Sequence, residues 1–167
     1  DNPKDSFAGQ FETYLNITKE DLINNIKKCI NSMNSSRIKA YCKEKTIDVN
    51  KIKIAIIVQK MIDSNVAGVA FTIHPISKDK NQILIEAAYG LGEAVVSGII
   101  NPDDYIVYKN SFDILSIEIR EQEKMLLRKE GKTQEVYLNN KKAKQQKLKN
   151  EFIIKIAEIA KKNRNIF

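Results

Sequence analysis

The sequence has no tryptophan, one histidine, two cysteines and three prolines among its 167 residues. With 43% apolar and 29% charged residues, this scarcity of proline argues against disorder, and the length suffices for one packed core. The longest apolar runs, such as IAIIV, span a handful of residues, whereas a membrane helix needs about 20. No basic stretch followed by an apolar run resembles a secretion signal. We therefore expect a globular, cytoplasmic protein without a membrane partner.

The two cysteines, Cys29 and Cys42, lie in a region with helical periodicity. They form no C-x-x-C pair and have no histidine nearby, so the spacing favours buried, reduced thiols over a disulfide or a metal site.

The formal net charge of +7 raises the question of a nucleic-acid partner. The lysines are scattered and arginines are few. The densest run, NNKKAKQQKLKN at 139–150, contains no aromatic residue on which a base could stack. We predict a solvated linker there and no nucleic-acid partner, with a basic nucleic-acid arm as the alternative.

Helical periodicity dominates the first third of the chain. Thr18 and Asp21 have the spacing of a capping box, and apolar residues recur at helical intervals from Leu22 to Met33. A second, shorter helix is predicted from Arg37 to Lys45. The β-branched run KIAIIVQKMI at 53–62 is then typical of a buried strand.

Short apolar segments separated by polar turns continue from Gly68 onward. Pro75 ends the first of them, and turns this short favour antiparallel pairing, because parallel neighbours need a crossover of about a dozen residues. The segments are GVAFTIHP, QILIEAAY, DYIVYK, DILSIEIR, KMLLRK and TQEVYL. A closing helix is predicted over 151–167, with Phe152, Ile153, Ile156, Ile159 and Ala160 on one face. The fold class is therefore α+β: a helical entry segment at 1–50, a strand-rich core at 51–138, and a linker with the closing helix at 139–167.

The stretch EAAYGLGEAVVSG at 86–98 looks like a phosphate-binding loop, but its spacing excludes two common kinds. Its glycines fall at 90, 92 and 98 rather than as G-x-G-x-x-G, and Ile99 stands where a P-loop has lysine. Two interpretations remain. Gly90 and Gly92 form a tight turn with Glu93 at a helix N-terminus, or Glu86 and Glu93 approach a polyphosphate with Mg²⁺ between them.

A second glycine-containing segment, DSFAGQFETYLN, lies near the start. Ser6, Gly9, Gln10 and Thr13 combine small hydroxyls with a flexible backbone, as in a loop that closes over phosphates. A turn that leads into the Thr18 helix explains the pattern equally well.

Four ordered motifs together carry a family resemblance that covers nearly the whole chain: DSFAGQFETYLN, IIVQKMIDSNVAGVAFTIHP, IEAAYGLGEAVVSGIINPDDYIV and EKMLLRKEGKTQEV. The chain resembles the ATP-binding region of phosphoenolpyruvate synthase (pyruvate, water dikinase), a region shared with pyruvate phosphate dikinase and rifampin phosphotransferase. The resemblance implies an ATP-grasp architecture, mostly an antiparallel sheet with flanking helices, incomplete at both ends here.

The resemblance also implies a reaction, with ATP and Mg²⁺ as cofactors. In the family, this domain transfers phosphate from ATP to a histidine on a separate domain, and the phosphate then passes to pyruvate, giving phosphoenolpyruvate, AMP and phosphate. His74, the only histidine, belongs to the FTIHP turn and is expected to be structural. The phosphohistidine domain and the pyruvate site are therefore expected in other parts of a longer protein.

Six residues match nucleotide-binding positions of the family, and none matches a catalytic one. Gly9 and Thr13 match the loop that covers the phosphates. Gln59 matches a glutamine beside the adenine, and Met61 lies in the same segment. The acidic positions near the nucleotide are Glu86 and Glu93, of which Glu93 is the expected metal ligand.

Departures from the family pattern leave two alternatives. The Arg-Ser-Ser segment and lysine that precede the first motif in the family, and the D-I-E and Gln-x-Arg-Pro strands beyond the closing helix, are not in this sequence, so the isolated chain is expected to be inactive. Ile30 stands where the family usually has tryptophan, and Asn34 replaces an apolar residue. The alternatives are the ATP-binding part of a rifampin-type phosphotransferase and a non-catalytic nucleotide-binding relative.

Overall fold

The computed structural model describes residue 7 and residues 9–164. The chain divides into two compact units, Asp1–Met61 and Ile62–Phe167, and each is described by itself.

The first unit is helical, as the periodicity predicts. Short 3₁₀ turns follow each helix. The elements are α1 (Leu22–Asn31), a 3₁₀ turn (Ser32–Asn34), α2 (Ser36–Glu44) and a second 3₁₀ turn (Val49–Lys51).

Side-chain hydrogen bonds to the backbone occur just before α1 and at the start of α2. Thr18 Oγ1 accepts a hydrogen bond from Asp21 N at 3.3 Å and donates to Asp21 Oδ2 at 3.2 Å, so one half of the expected capping box forms, while Asp21, the N-cap residue of α1, makes no side-chain cap. Ser35 Oγ accepts from Ile38 N at 3.3 Å and caps α2. Both thiols are free, as predicted; Cys42 is buried, but Cys29 is only half-buried.

The run at 53–62 differs from its prediction. Residues 52–64 are neither helix nor strand, and none of the described residues pairs with them in a sheet. Ile57 and Val58 are 85% and 63% exposed, so the predicted buried strand is wrong here. The physical reason is that a β-branched run is buried only where a neighbouring strand satisfies its backbone and a packed layer covers its side chains.

The second unit contains two antiparallel sheets, which confirms the predicted pairing. A four-stranded sheet has the order β1-β2-β3-β4, and β5 and β6 form a separate hairpin. The strands are β1 (Val66–Phe71), β2 (Gln82–Tyr89), β3 (Asp103–Tyr108), β4 (Ile114–Glu118), β5 (Lys124–Lys129) and β6 (Lys132–Tyr137). The helices are α3 (Glu93–Val96), α4 (Asn140–Ala143) and α5 (Asn150–Arg164).

The core of the second unit lies between one face of the larger sheet and α5. Alternate residues of β2 and β3 point to this face, as the two-residue period of a strand requires. The buried cluster consists of Ile83, Ile85, Ala87, Tyr105, Val107, Ile153 and Ala157. The closing helix is confirmed, but its packed face is rotated from the predicted one, because Phe152 and Ile159 are 47% and 58% exposed.

The lysine-rich run at 139–150 is more than a solvated linker. It contains α4, and Ala143 and Lys147 are buried within it. Lys147 Nζ lies 2.6 Å from Asp103 Oδ1, and both side chains are fully buried. Four groups donate hydrogen bonds to the Asp103 carboxylate: Lys147 Nζ, Lys147 N, Arg120 N and Tyr105 OH. A complete set of partners is what lets the core contain a lysine and a carboxylate.

Across the described ranges, none of the helices combines the length and apolar character that crossing a bilayer requires.

Candidate functional site

The glycine stretch begins where β2 ends. Gly90 N donates to Asn65 O at 2.9 Å, and Ser64 Oγ donates to Gly90 O at 2.9 Å. On the other side, Leu91 N donates to Leu126 O of β5 at 2.8 Å. The loop that leads to Glu93 is therefore attached both to the segment before β1 and to the β5–β6 hairpin.

Of the two glycines in the turn, only Gly90 has a backbone conformation and surroundings that require a glycine. Gly90 has φ = +93°, and a Cβ there would lie 2.4 Å from Leu126 O. Gly92 has φ = −60°, and the nearest atom to a Cβ would be Ala67 Cβ at 3.6 Å, an ordinary contact. The tight turn expected from the sequence therefore depends on Gly90, for both conformation and space.

Glu93 is the first residue of α3 and is exposed. Within the described part of the chain, its carboxylate makes no hydrogen bond or ion pair, whereas its backbone oxygen accepts from Ser97 Oγ at 2.6 Å. The short helix predicted for EAVVSG is confirmed, and the carboxylate is accessible to a ligand.

Glu86 lies on the face of the larger sheet opposite the core. It is directly opposite Asp104 on β3, and Asp104 is opposite Glu118 on β4. We call Glu86, Asp104 and Glu118 the acidic row. Directly opposed residues have Cβ atoms about 4.5–5.5 Å apart, so the three carboxylates are neighbours.

Arg120 compensates part of this charge. Its Nη2 lies 2.8 Å from Asp104 Oδ2 and 3.1 Å from Glu118 Oε1. The sequence analysis missed Asp104, Glu118 and Arg120, because cross-strand register brings them together and no local motif marks them.

Burial raises the pKa of Glu86; the Asp104 carboxylate raises it further, and the Arg120 guanidinium opposes both effects. Burial is also the main cause of the raised pKa of Asp104. Asp104 Oδ1 is buried and has no hydrogen-bond partner among the described residues. The same ranges contain no group of three or more His, Cys, Asp or Glu residues arranged to hold a metal ion.

The remaining predicted residues belong to the first unit or to its last segment. Gly9, with φ = +71° and open space around it, and the exposed Thr13 lie in one loop. Arg37 secures this loop by donating to Gln10 O at 3.1 Å and pairing with Glu12 at 3.0 Å. Ser6 lies outside the described residues.

Gln59 and Met61 lie together in the extended segment 52–64, where Gln59 is exposed and Met61 is half-buried. Gly9 and Thr13 thus belong to one loop, and Gln59 and Met61 to one segment without helix or strand.

His74 has a local structural role, in agreement with expectation. Its Nδ1 accepts from Ile76 N and Ser77 N, each at 3.3 Å, and so stabilises the turn between β1 and β2.

Comparisons with known proteins agree with the motifs. The family model described as pyruvate phosphate dikinase, AMP/ATP-binding domain, matches residues 1–167. A probable phosphoenolpyruvate synthase of Archaeoglobus fulgidus is 42% identical over 160 residues, which cover 95% of this chain and 21% of that protein. The phosphoenolpyruvate synthase of Pyrococcus furiosus is 38% identical over 171 residues, which cover 97% of this chain and 21% of that protein.

An uncharacterized phosphotransferase of Bacillus subtilis, YvkC, is 39% identical over 175 residues, which cover 97% of this chain and 20% of that protein. The chain thus spans about a fifth of the length of these relatives. The family match extends over all of residues 1–167. The chain belongs to the family of the pyruvate phosphate dikinase AMP/ATP-binding domain.

Proposed function

We propose that this chain is the ATP-binding part of a phosphoenolpyruvate synthase-like dikinase. The whole protein would transfer phosphate from ATP to a histidine on a separate domain and then to pyruvate, giving phosphoenolpyruvate, AMP and phosphate. The observation that carries the proposal is the full-length family match together with relatives of about 40% identity that are named phosphoenolpyruvate synthase. Residues 1–167 alone would be inactive, because the acceptor histidine and the pyruvate site would lie elsewhere.

The proposal includes an ATP-grasp architecture. Two features of the second unit support it. The larger sheet is antiparallel and has α5 on one face only, and its other face carries the acidic row. On that other face Ala88 packs against Ala94 of α3, and the acidic row, which begins two residues before Ala88 on the same strand, would face a polar ligand.

Within this proposal, each of the six residues that match the family contacts a particular part of the nucleotide. Gly9 and Thr13 would cover the phosphates, since the loop has an open glycine backbone and an exposed hydroxyl. Gln59 and Met61 would lie beside the adenine, where an exposed amide and a half-buried thioether offer polar and apolar contacts. Glu86 and Glu93 would form the acidic side of the nucleotide site.

The donor set of the second unit fits Mg²⁺. This ion is commonly held by one or two carboxylates together with substrate phosphates, so a site of three protein ligands is not required. Glu93 offers an accessible carboxylate, and the buried Asp104 Oδ1, which has no hydrogen-bond partner among the described residues, supports a cation-binding role for this unit. We assign Glu93 as the metal ligand. Bound Mg²⁺ would neutralise charge on the phosphates, and Glu93 would orient it while α3 and Gly90 hold Glu93 in place.

The test uses the full-length protein, with Gln59→Ala and Glu93→Ala as variants. Each is expected to weaken MgATP binding by about tenfold or more, and only the Glu93→Ala defect should shrink as Mg²⁺ is increased. Gln134→Ala and Glu158→Ala replace exposed residues of the same types on β6 and α5 and serve as controls. Unchanged ATP and Mg²⁺ dependence in the two site variants would contradict the assignments.

A phosphotransferase with a different acceptor is the second candidate, favoured by the similarity to the Bacillus subtilis phosphotransferase. Pyruvate-dependent formation of AMP by the full-length protein supports the synthase. AMP formation that needs a rifamycin instead of pyruvate supports the alternative.

A further inference from the structure

Gln122 is a buried polar residue to which neither the sequence motifs nor the proposed function assigns a role. It lies between β4 and β5, and only 1% of it is exposed. Its Oε1 accepts from Tyr89 N at 2.9 Å, and its Nε2 donates to Tyr89 O at 3.0 Å and to Lys124 O at 2.9 Å. One side-chain amide thus bonds both backbone groups of a single residue, as a neighbouring strand would.

The position of Tyr89 explains why such a substitute is needed. The pairing of β2 with β3 ends at Ala87 and Asp103, whereas β2 continues to Tyr89 alongside β1. Beyond Ala87 the backbone on the β3 side needs another partner, because buried N–H and C=O groups left unpaired are costly. The Gln122 amide takes the place of the missing strand.

Gln122 is itself fixed at its backbone, since Gln122 N donates to Ala143 O at 2.9 Å. The amide therefore connects the end of β2 to the α4 segment through a rigid contact. The next residue after Tyr89 is Gly90, where the chain turns, and Glu93 follows three residues later. The loop that carries Glu93 therefore begins directly after the residue that Gln122 holds, and we expect a change in the direction of Tyr89 to move this loop.

We propose that Gln122 is a positioning residue: its side-chain amide sets the direction in which the chain leaves β2 and so places the Glu93 carboxylate for nucleotide-bound Mg²⁺. The inference rests on the proposed function for the role of Glu93. The placement of the loop can be measured without nucleotide, so an experiment can contradict this inference without contradicting the proposed function, and the reverse.

The first experiment measures the loop itself in the full-length protein. Gln122→Met keeps the side-chain length and removes the amide. Gln146→Met is the control, because the Gln146 amide also donates to a backbone carbonyl, that of Leu148, and the variant keeps the Gln146 backbone oxygen that accepts from Tyr89 OH. We expect amide hydrogen exchange at residues 89–93 to become about tenfold faster in Gln122→Met and to stay unchanged in Gln146→Met. Equal exchange in the two variants would overturn the inference.

The second experiment is a double-mutant cycle between Gln122→Met and Glu93→Ala, with MgATP affinity as the readout. Replacement of residues that orient metal ligands typically lowers affinity about 10- to 100-fold, and we expect about tenfold for Gln122→Met. If Gln122 acts through Glu93, the double variant should bind MgATP no more weakly than Glu93→Ala alone. Additive losses would show that Gln122 affects MgATP binding independently of Glu93, and would overturn its positioning role.

Two further outcomes are decided in advance. If Gln122→Met does not fold, Ser64→Ala takes its place, because it removes the hydrogen bond to Gly90 O from the opposite side of the same loop and should produce a smaller change in the same direction. If Glu93→Ala alone leaves MgATP affinity unchanged, the metal assignment fails, and the exchange data alone decide whether Gln122 places the loop.

Discussion

Two apolar runs of this chain look alike in sequence and differ in structure. KIAIIVQKMI at 53–62 and QILIEAAY at 82–89 are both rich in isoleucine and both indicate a buried strand. QILIEAAY is β2, paired on both sides, with Ile83 fully buried. The other run forms no strand with any described residue, and Ile57 is 85% exposed.

The difference shows that composition predicts which segments can become strands but does not supply the partners that bury them. β2 has β1 and β3 beside it and α5 beneath it. All three elements belong to the same unit: β1 and β3 are the strands before and after β2 along the chain, and α5 follows at Asn150–Arg164. Three predictions test whether neighbours, rather than apolar content, decide the stability of each run.

The largest effect is expected from truncation of matched isoleucines. Ile83→Ala should lower the free energy of unfolding by about 2–5 kcal/mol, because it leaves a cavity between β2 and α5. Ile57→Ala should change it by no more than about 0.5 kcal/mol, since most of this side chain already contacts water. Urea unfolding monitored by circular dichroism measures both. Equal losses would contradict the comparison.

The next prediction concerns the stability effect of replacing Gly90, the residue that follows β2 and lies against Leu126 of β5. Gly90→Ala should cost roughly 2–5 kcal/mol, because alanine is strained at positive φ and its Cβ would meet Leu126 O. Gly131→Ala is the control: Gly131 also has positive φ, +75°, but no atom of the described chain lies within 4 Å of a Cβ there. That variant should lose about 1–2 kcal/mol from backbone strain alone. Similar unfolding midpoints for the two variants would show that β5 does not hold the end of β2.

The smallest effect is expected from the charge on β2. Burial raises the pKa of Glu86 above its ordinary value of 4.5, so the folded state holds the proton more tightly than the unfolded state. Stability contributed by this group is therefore present at acid pH and lost as pH rises from that ordinary value through the raised pKa.

Glu86→Gln should consequently stabilise the protein at pH 7 by less than about 1 kcal/mol, with the gain disappearing below about pH 4. Thermal unfolding from pH 3 to pH 8 checks this dependence. A gain that is independent of pH would assign it to packing rather than to charge.

Much of the fold is predictable from the sequence, because short helices and strands are marked by residue patterns within each segment. Short apolar segments and the polar turns between them located β1 to β6, and helical spacing located α1, α2 and α5. The prediction failed where distant contacts decide. Residues 53–62 have no strand partner among the residues that the structure describes, and Phe152 and Ile159 were assigned to a face that α5 turns towards solvent.

The site was predictable only where residues are close in sequence. The glycine stretch, its turn and the helix that begins at Glu93 follow from local patterns. The acidic row follows from strand register, which aligns Glu86, Asp104 and Glu118 from three separate segments. Gln122 gave no signal at all, because a single glutamine in a charged stretch is typical of a surface loop.

Lys147 shows that one of the many lysines of this chain is part of its buried core. Replacing either Lys147 or Asp103 singly by a neutral residue would leave the other as a buried charge without its counter-charge. The two positions are therefore coupled in sequence change: a neutral, apolar residue at 147 is compatible with the fold only together with an uncharged residue at 103. Lys147 thus ties the lysine-rich run 139–150 to a buried carboxylate 44 positions earlier in the chain.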